Sequence, residues 1–400
     1  MIETGITALR RRLVPLLNYN MQYVFARCVM IYFDNAATGG RKPDSVLSAV
    51  CAALQQCANP GRSGHKLSVG CACVVQNARQ ALDDFFQGYG FERTVFTKNC
   101  TEALNLAVFS ALGDGGHAVT TCMEHNSVLR PLEHLRRKGV ADYSVAPLNE
   151  QGNVSPESIV SLVRKDTKAV FVTAASNVTG AAPDLAAIRA LLPREILLVC
   201  DGAQGCGHLP LSVKKTGLDA LCIAGHKGMH AIQGAGALLF SDRFEVKPLL
   251  FGGTGSESFN LGMPPFYPDK LESGTLNFPA ISSLLEGTLY ARLKLESDAD
   301  YVLRLSEILC DGLQANSRLR VLSRPNPCGI VSFTHKLRQS EEVASLLSEK
   351  FSVAVRGGLH CAPLMHKALG TNEDGAVRAS LSAFNTREEV SVLIRAMRRI

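Results

Sequence analysis

Four hundred residues with 46% hydrophobic content are ample for a buried core and too many for one small domain. The formal charge is +6, and Arg10, Arg11, Arg12 and Arg27 against Glu3 put +3 of it in the first thirty residues. The remainder is close to neutral, with no basic stripe to argue for nucleic acid and no run near the ~18 apolar residues of a membrane helix.

Residues 1–29 read as a dispensable extension, with Met30 as the functional start directly before IYFDNAATG. Asn18, Asn20 and Gln22 interrupt any signal-peptide core, and a transit peptide is the alternative. From 43 to about 240, apolar β-type runs alternate with helix-period segments. TVFT (94–97), HAVTTCM (117–123), KAVFVTA (168–174), EILLVC (195–200), DALCIA (219–224) and GAGALLF (234–240) read as strands. Helices are expected over 69–87, 101–112, 126–138, 155–164 and 183–192. This alternation predicts a mostly parallel sheet covered on both faces, with ligands at the carboxyl ends of its strands. Residues 251–279, rich in Gly, Pro and Ser, read as a long functional loop or linker. Beyond it come a long helix (280–316), RVLS, GIVSFTH, a helix (340–350), SVAVRGG and a last helix (387–399). The chain thus divides into a large domain over 30–280 and a smaller α+β domain over 281–400, with the first residues of the large unit packing on the small one.

The 13 cysteines are scattered, odd in number and mostly embedded in apolar runs such as LLVC (Cys200) and ALCIA (Cys222). No C-x-x-C pair exists, so a zinc knuckle has no support. Buried thiols in a reducing, cytoplasmic setting account for most of them.

Three motifs carry chemistry. In AGHKGMHAIQGAGALLF, Lys227 follows a strand into a polar turn. A lysine at such a strand end forms a Schiff base if its pKa is lowered; otherwise it is a solvated surface residue. In ILLVCDGAQGCG, Asp201 ends a very apolar strand and needs a partner, either a helix N-terminus or a cationic ring nitrogen. In FTKNCTEALNLAVFSAL, Thr101 opens a helix whose N–H groups suit a phosphate, or simply caps it.

Taken in order, the motifs resemble the cysteine desulfurases of the class V aminotransferase group, which are fold type I pyridoxal-phosphate enzymes. The matching stretches run from YFDNAATG (32–39) through GRSGHKLS (61–68), MEHNSVLRP (123–131), SNVTG (176–180), DGAQ (201–204) and AGHKG (224–228). They end with ESGTLNFPAI (272–281), RGGLHCAP (356–363) and VRASLSAFNTREEV (377–390). The resemblance implies an α/β fold with a seven-stranded-type sheet and pyridoxal 5'-phosphate as cofactor. It implies Lys227 as the Schiff-base lysine, Asp201 as partner of the pyridine nitrogen and His125 as the group stacked on the ring. Asn177 and Gln204 fall near the ring hydroxyl or substrate. Cys100, Thr101 and His226 fall at the phosphate, with Thr275 added from the facing subunit of a homodimer. Arg378, beside Arg356, grips the substrate carboxylate. Two departures stand out: Ala224 replaces a usual serine, and Asn-Cys-Thr replaces the usual Gly-Thr-Thr at 99–101.

Cys361 decides the reaction. It follows SVAVRGG in a Gly-rich polar loop beside His360 and Arg356, where cationic groups favour the thiolate. The resemblance, here to the second, short-loop subgroup, makes it the acceptor of sulfur from L-cysteine. Alanine is the other product, and the persulfide passes on to an acceptor protein. Selenocysteine lyase, cysteine-sulfinate desulfinase, a true aminotransferase and a cofactor-binding carrier without turnover are the readings left open.

Overall fold

The computed structural model describes residues 30–56 and 58–400. Twelve strands are present among them. In chain order they are β1 (Ile31–Tyr32), β2 (Thr94–Thr97), β3 (Gly116–Thr121), β4 (Ala141–Ala146), β5 (Thr167–Thr173) and β6 (Leu197–Asp201). β7 (Ala220–Ala224), β8 (Gly236–Phe240), β9 (Leu319–Val321), β10 (Ile330–His335), β11 (Val353–Ala354) and β12 (Val377–Ser380) follow.

Seven strands form one sheet in the order β2-β8-β7-β6-β5-β3-β4. Only β8 runs against the rest, antiparallel to both β2 and β7. Its central strands are apolar on both faces, and every residue of β7 and β8 is buried. Two apolar cores therefore lie on the two sides of the sheet, one holding Val170, Leu198 and Leu221, the other Phe171, Val199 and Cys222. That is how a strand without polar alternation folds.

Of the seven strands of this sheet, β4 is the one the sequence does not announce; β1 and β12 outside it are likewise not marked. β4 is the sheet edge, half exposed, with Asp142 and Ser144 interrupting its apolar character. The helix Asp44–Gln55 was likewise not singled out.

The C-terminal part is a smaller unit with its own core, built on the antiparallel sheet β12-β10-β9. The chain enters it first: β1 pairs in parallel with β11, Ile31 opposite Val353, and Phe33 is fully buried in that core. The 37-residue helix Phe278–Gln314 links the two cores, its early residues Ile281 and Leu284 in the first and its late Leu305 and Leu309 in the small one. Residues 241–277 contain no strand or helix; the loop expected over 251–279 ends two residues early, where Asn277 caps the helix that Phe278 opens. No helix among the described residues is long and apolar enough to cross a membrane.

Candidate active site

The strand ends set the site. Thr173 ends β5, Asp201 ends β6 and Ala224 ends β7, and all three line one cavity. Eight of the residues singled out from the sequence share it: Cys100, Thr101, His125, Asn177, Asp201, Gln204, His226 and Lys227. They come from five separate stretches of chain.

Asp201 is 3% exposed. Its Oδ1 accepts from the Ala203 N–H at 2.9 Å and from the Cys100 thiol at 3.5 Å. Among the described residues no donor engages Oδ2, so one oxygen of a buried carboxylate is left for a ligand. Burial, then the Asp201 charge, pushes the Cys100 thiol well above its ordinary range, so it stays a donor. Lys227 sits across from this charge. Burial lowers the pKa of its amine; Asp201 opposes the shift, while Arg378 and Arg356 add to it. An amine poised toward its neutral form is a nucleophile and a base.

The helix Cys100–Leu112 points its N-terminus at the cavity. Asn99 Oδ1 accepts from the Glu102 N–H at 2.9 Å and starts the helix. The first N–H groups have no intrahelical acceptor, which makes this end attractive to an anion. His125 starts the next helix, Asn126–Arg137, its Nδ1 accepting from the Ser127 N–H at 3.0 Å. Burial holds the imidazole pKa at about 4, so at neutral pH His125 is uncharged with its proton on Nε2. His226 is neutral for the same reason, at about 4, and is tethered to Thr38 Oγ1 at 3.1 Å. Gln204 donates to the Ala36 carbonyl at 2.9 Å.

Cys361 lies in an adjoining groove whose walls include Thr101, His125 and Ser127, residues shared with the cavity. The thiol residue is exposed. Its backbone is held from two sides: the Asn126 N–H donates to the Cys361 carbonyl at 2.8 Å, and Asn177 Nδ2 donates to the His360 carbonyl at 2.7 Å. His360 and Cys361 both take left-handed backbone angles, φ 47° and 58°. His360 does not supply the positive charge expected beside the thiol. It is buried, and desolvation followed by the Arg378 charge pushes its pKa down to about 2, so it is neutral.

Arg378 is 1% exposed, bonded through Nη1 to the Asn177 carbonyl at 3.0 Å and through Nη2 to Asp34 Oδ1 at 2.9 Å. Its Nε and Asn177 Oδ1 are buried without a partner. The backbones of Arg356 and Arg378 pair with each other, which brings the two arginines side by side. Thr275 does not join the cavity of its own chain. It is exposed and lines a separate pocket with Phe96, Lys98 and Asn277.

Three residues of the site went unnoticed in the sequence. Asp34 anchors Arg378 from 344 positions away. Ser127 bridges His125 and Thr101, its Oγ 2.9 Å from His125 Nδ1 and 2.8 Å from Thr101 Oγ1. Glu124 is fully buried, accepting from Thr121 Oγ1 at 2.7 Å and the Thr173 N–H at 2.9 Å. Burial and the charge of Asp201 raise its pKa to about 8. A carboxylate one position before a site histidine was the available signal.

The chain is similar to known proteins over most of its length. The family model described as aminotransferase class-V matches residues 31–393. A probable cysteine desulfurase of Methanothermobacter thermautotrophicus is 31% identical, covering 91% of this chain and 92% of its own length. A cysteine desulfurase of Shigella flexneri is 29% identical over 93% of both chains. Among solved structures, the apo cysteine desulfurase from Thermococcus onnurineus superposes with a TM-score of 0.84 at 30% identity, covering 92% of this chain and 94% of that one.

Proposed function

The chain belongs to the class-V aminotransferase family, among its cysteine desulfurases, and from that premise we propose that it takes sulfur from L-cysteine. The products are alanine and a persulfide on Cys361. The observation that carries this reading is the groove of Cys361, which shares Thr101, His125 and Ser127 with the cavity of Lys227 and Asp201.

The residues around the cavity fit pyridoxal 5'-phosphate. Asp201 keeps Oδ2 free for a protonated ring nitrogen, Lys227 offers an amine for the aldehyde carbon, and the N-terminus at Cys100 and Thr101 offers donors for a phosphate. His125 and Asn177 complete the walls around the ring, with Gln204 and His226 beside them. When bound, the cofactor supplies an electron sink that makes the Cα proton of the amino acid acidic and its Cβ–S bond labile.

The chain's own groups do the rest. Arg378 takes the substrate carboxylate, with Arg356 beside it; Asp34 and the Asn177 carbonyl fix the guanidinium plane. Lys227, held toward the neutral amine by burial, removes the Cα proton. The Cys361 thiolate then attacks the substrate sulfur. An S–S bond forms, the Cβ–S bond breaks, and the electron pair stays on carbon, where protonation gives alanine. His125, which lines the cavity, is available as a neutral donor for such a step.

Because Cys361 is exposed, the persulfide is open to an acceptor protein. We read the working unit as a cytoplasmic homodimer. The exposed Phe251, Phe259 and Leu261 of the long loop, the segment that also carries Thr275, give a second copy an apolar surface.

The test is alanine release from L-cysteine by purified protein with a reductant, beside Cys361→Ala. Alanine from the wild type and almost none from the variant supports the reading. Equal release from both sinks it.

A further inference from the structure

One hydroxyl of the cavity, that of Ser127, has a geometry that the reaction above does not use. Ser127 lines the cavity directly, is 9% exposed, and was given no role when its stretch MEHNSVLRP was matched. Its hydroxyl is 2.8 Å from that of Thr101, at the N-terminus of the helix Cys100–Leu112, and 2.9 Å from His125 Nδ1. Two helix N-termini thus meet at a pair of hydroxyls: Thr101 in the first turn of one, Ser127 in the first turn of the other. No positive side chain bonds to either hydroxyl among the described residues. His125 and His226, which line the same cavity, are neutral at pH 7, since burial holds both near pKa 4. An anion beside the two hydroxyls is therefore held by uncharged donors, hydroxyl and backbone groups among them. Ala224, at the end of β7 and also lining the cavity, brings only a methyl group.

Resting on the cofactor reading above, we propose that Ser127 is a phosphate-binding residue, its hydroxyl standing in for the one that Ala224 lacks. In the free protein the two hydroxyls satisfy each other and His125 Nδ1. When a phosphate dianion arrives, both turn their protons to it, and the His125 Nδ1 keeps its bond from the Ser127 N–H at 3.0 Å. Ser127 thereby ties the phosphate to the orientation of His125 without a formal charge.

The experiment is a binding titration of cofactor-free protein, followed by fluorescence, with pyridoxal 5'-phosphate and with pyridoxal, which lacks the phosphate. Ser127→Ala is expected to weaken the phosphorylated ligand about tenfold, the worth of one charge-assisted hydrogen bond. Pyridoxal affinity should stay unchanged. Adding Ala224→Ser to Ser127→Ala should restore most of the lost affinity. Equal weakening of both ligands would reduce Ser127 to a support for His125 and overturn the proposal, as would no weakening of either. If the wild type binds neither ligand, the cofactor reading itself falls; if it binds both and Ser127→Ala is silent, only this inference does.

Discussion

Asn177 donates from Nδ2 to the His360 carbonyl at 2.7 Å while its own carbonyl accepts from Arg378 at 3.0 Å. One buried residue of the large sheet's loops therefore fixes both the backbone of the Cys361 loop and the guanidinium assigned to the substrate. The loop needs such a hold. Two successive non-glycine residues at positive φ each cost about 1–2 kcal/mol relative to ordinary backbone.

Asn177→Asp keeps the shape, loses the donor and sets a carboxylate against the His360 carbonyl. Alanine release should fall at least about tenfold, with stability lower by about 1–3 kcal/mol. The released loop should also let iodoacetamide alkylate Cys361 faster. Unchanged alkylation together with unchanged alanine release would show that the contact is incidental.

Lys227→Ala removes the amine that burial holds ready. Alanine release should drop by about 10²–10⁴-fold, the usual contribution of a positioned base, and the cofactor should become removable by dialysis. Retention of activity within twofold would assign the proton step elsewhere.

Glu124 makes the fold sensitive to alkaline pH. Its folded pKa of about 8 lies above the ordinary 4.5, so the folded protein keeps a proton that the unfolded chain gives up between those values. Stability from this group is complete below the unfolded pKa and is lost as pH rises through the folded one, a decline of about a few kcal/mol. Glu124→Gln should flatten it. Urea unfolding of cofactor-free protein at pH 5 and pH 9 checks this, and the same slope in both proteins would place the dependence on another group.

Arg79 and Glu272 form a buried pair, 4% and 6% exposed, that pins the long loop to the sheet. Glu272 also accepts from the Phe96 N–H, and Arg79 donates to the Thr94 carbonyl, both at 2.6 Å. Glu272→Gln leaves a buried guanidinium without its counter-charge, and a loss of about 3–5 kcal/mol is expected in chemical denaturation. A loss below about 1 kcal/mol would mean that water reaches the pair.

The sequence by itself determined the sheet and most of the cavity. Strands such as LLVCD and ALCIA are apolar on both faces, so a covered parallel sheet was the one way to bury them, and a polar residue at such a strand end had to face the ligand crevice. That is why Asp201, Lys227 and Thr101 were legible. The edge strand β4 was not, because half of it faces solvent and its pattern is mixed. Only the tertiary structure decided which charges survive. His360 reads as a cation beside Cys361, yet folding buries it and leaves it neutral; Glu124 drew no reading from the sequence, and folding buries it fully and raises its pKa. Desolvation depends on every neighbour a group acquires, and those neighbours come from far along the chain. The same holds for Asp34 on Arg378 and for Ser127 on Thr101: each is a pairing of distant residues that no local spacing encodes.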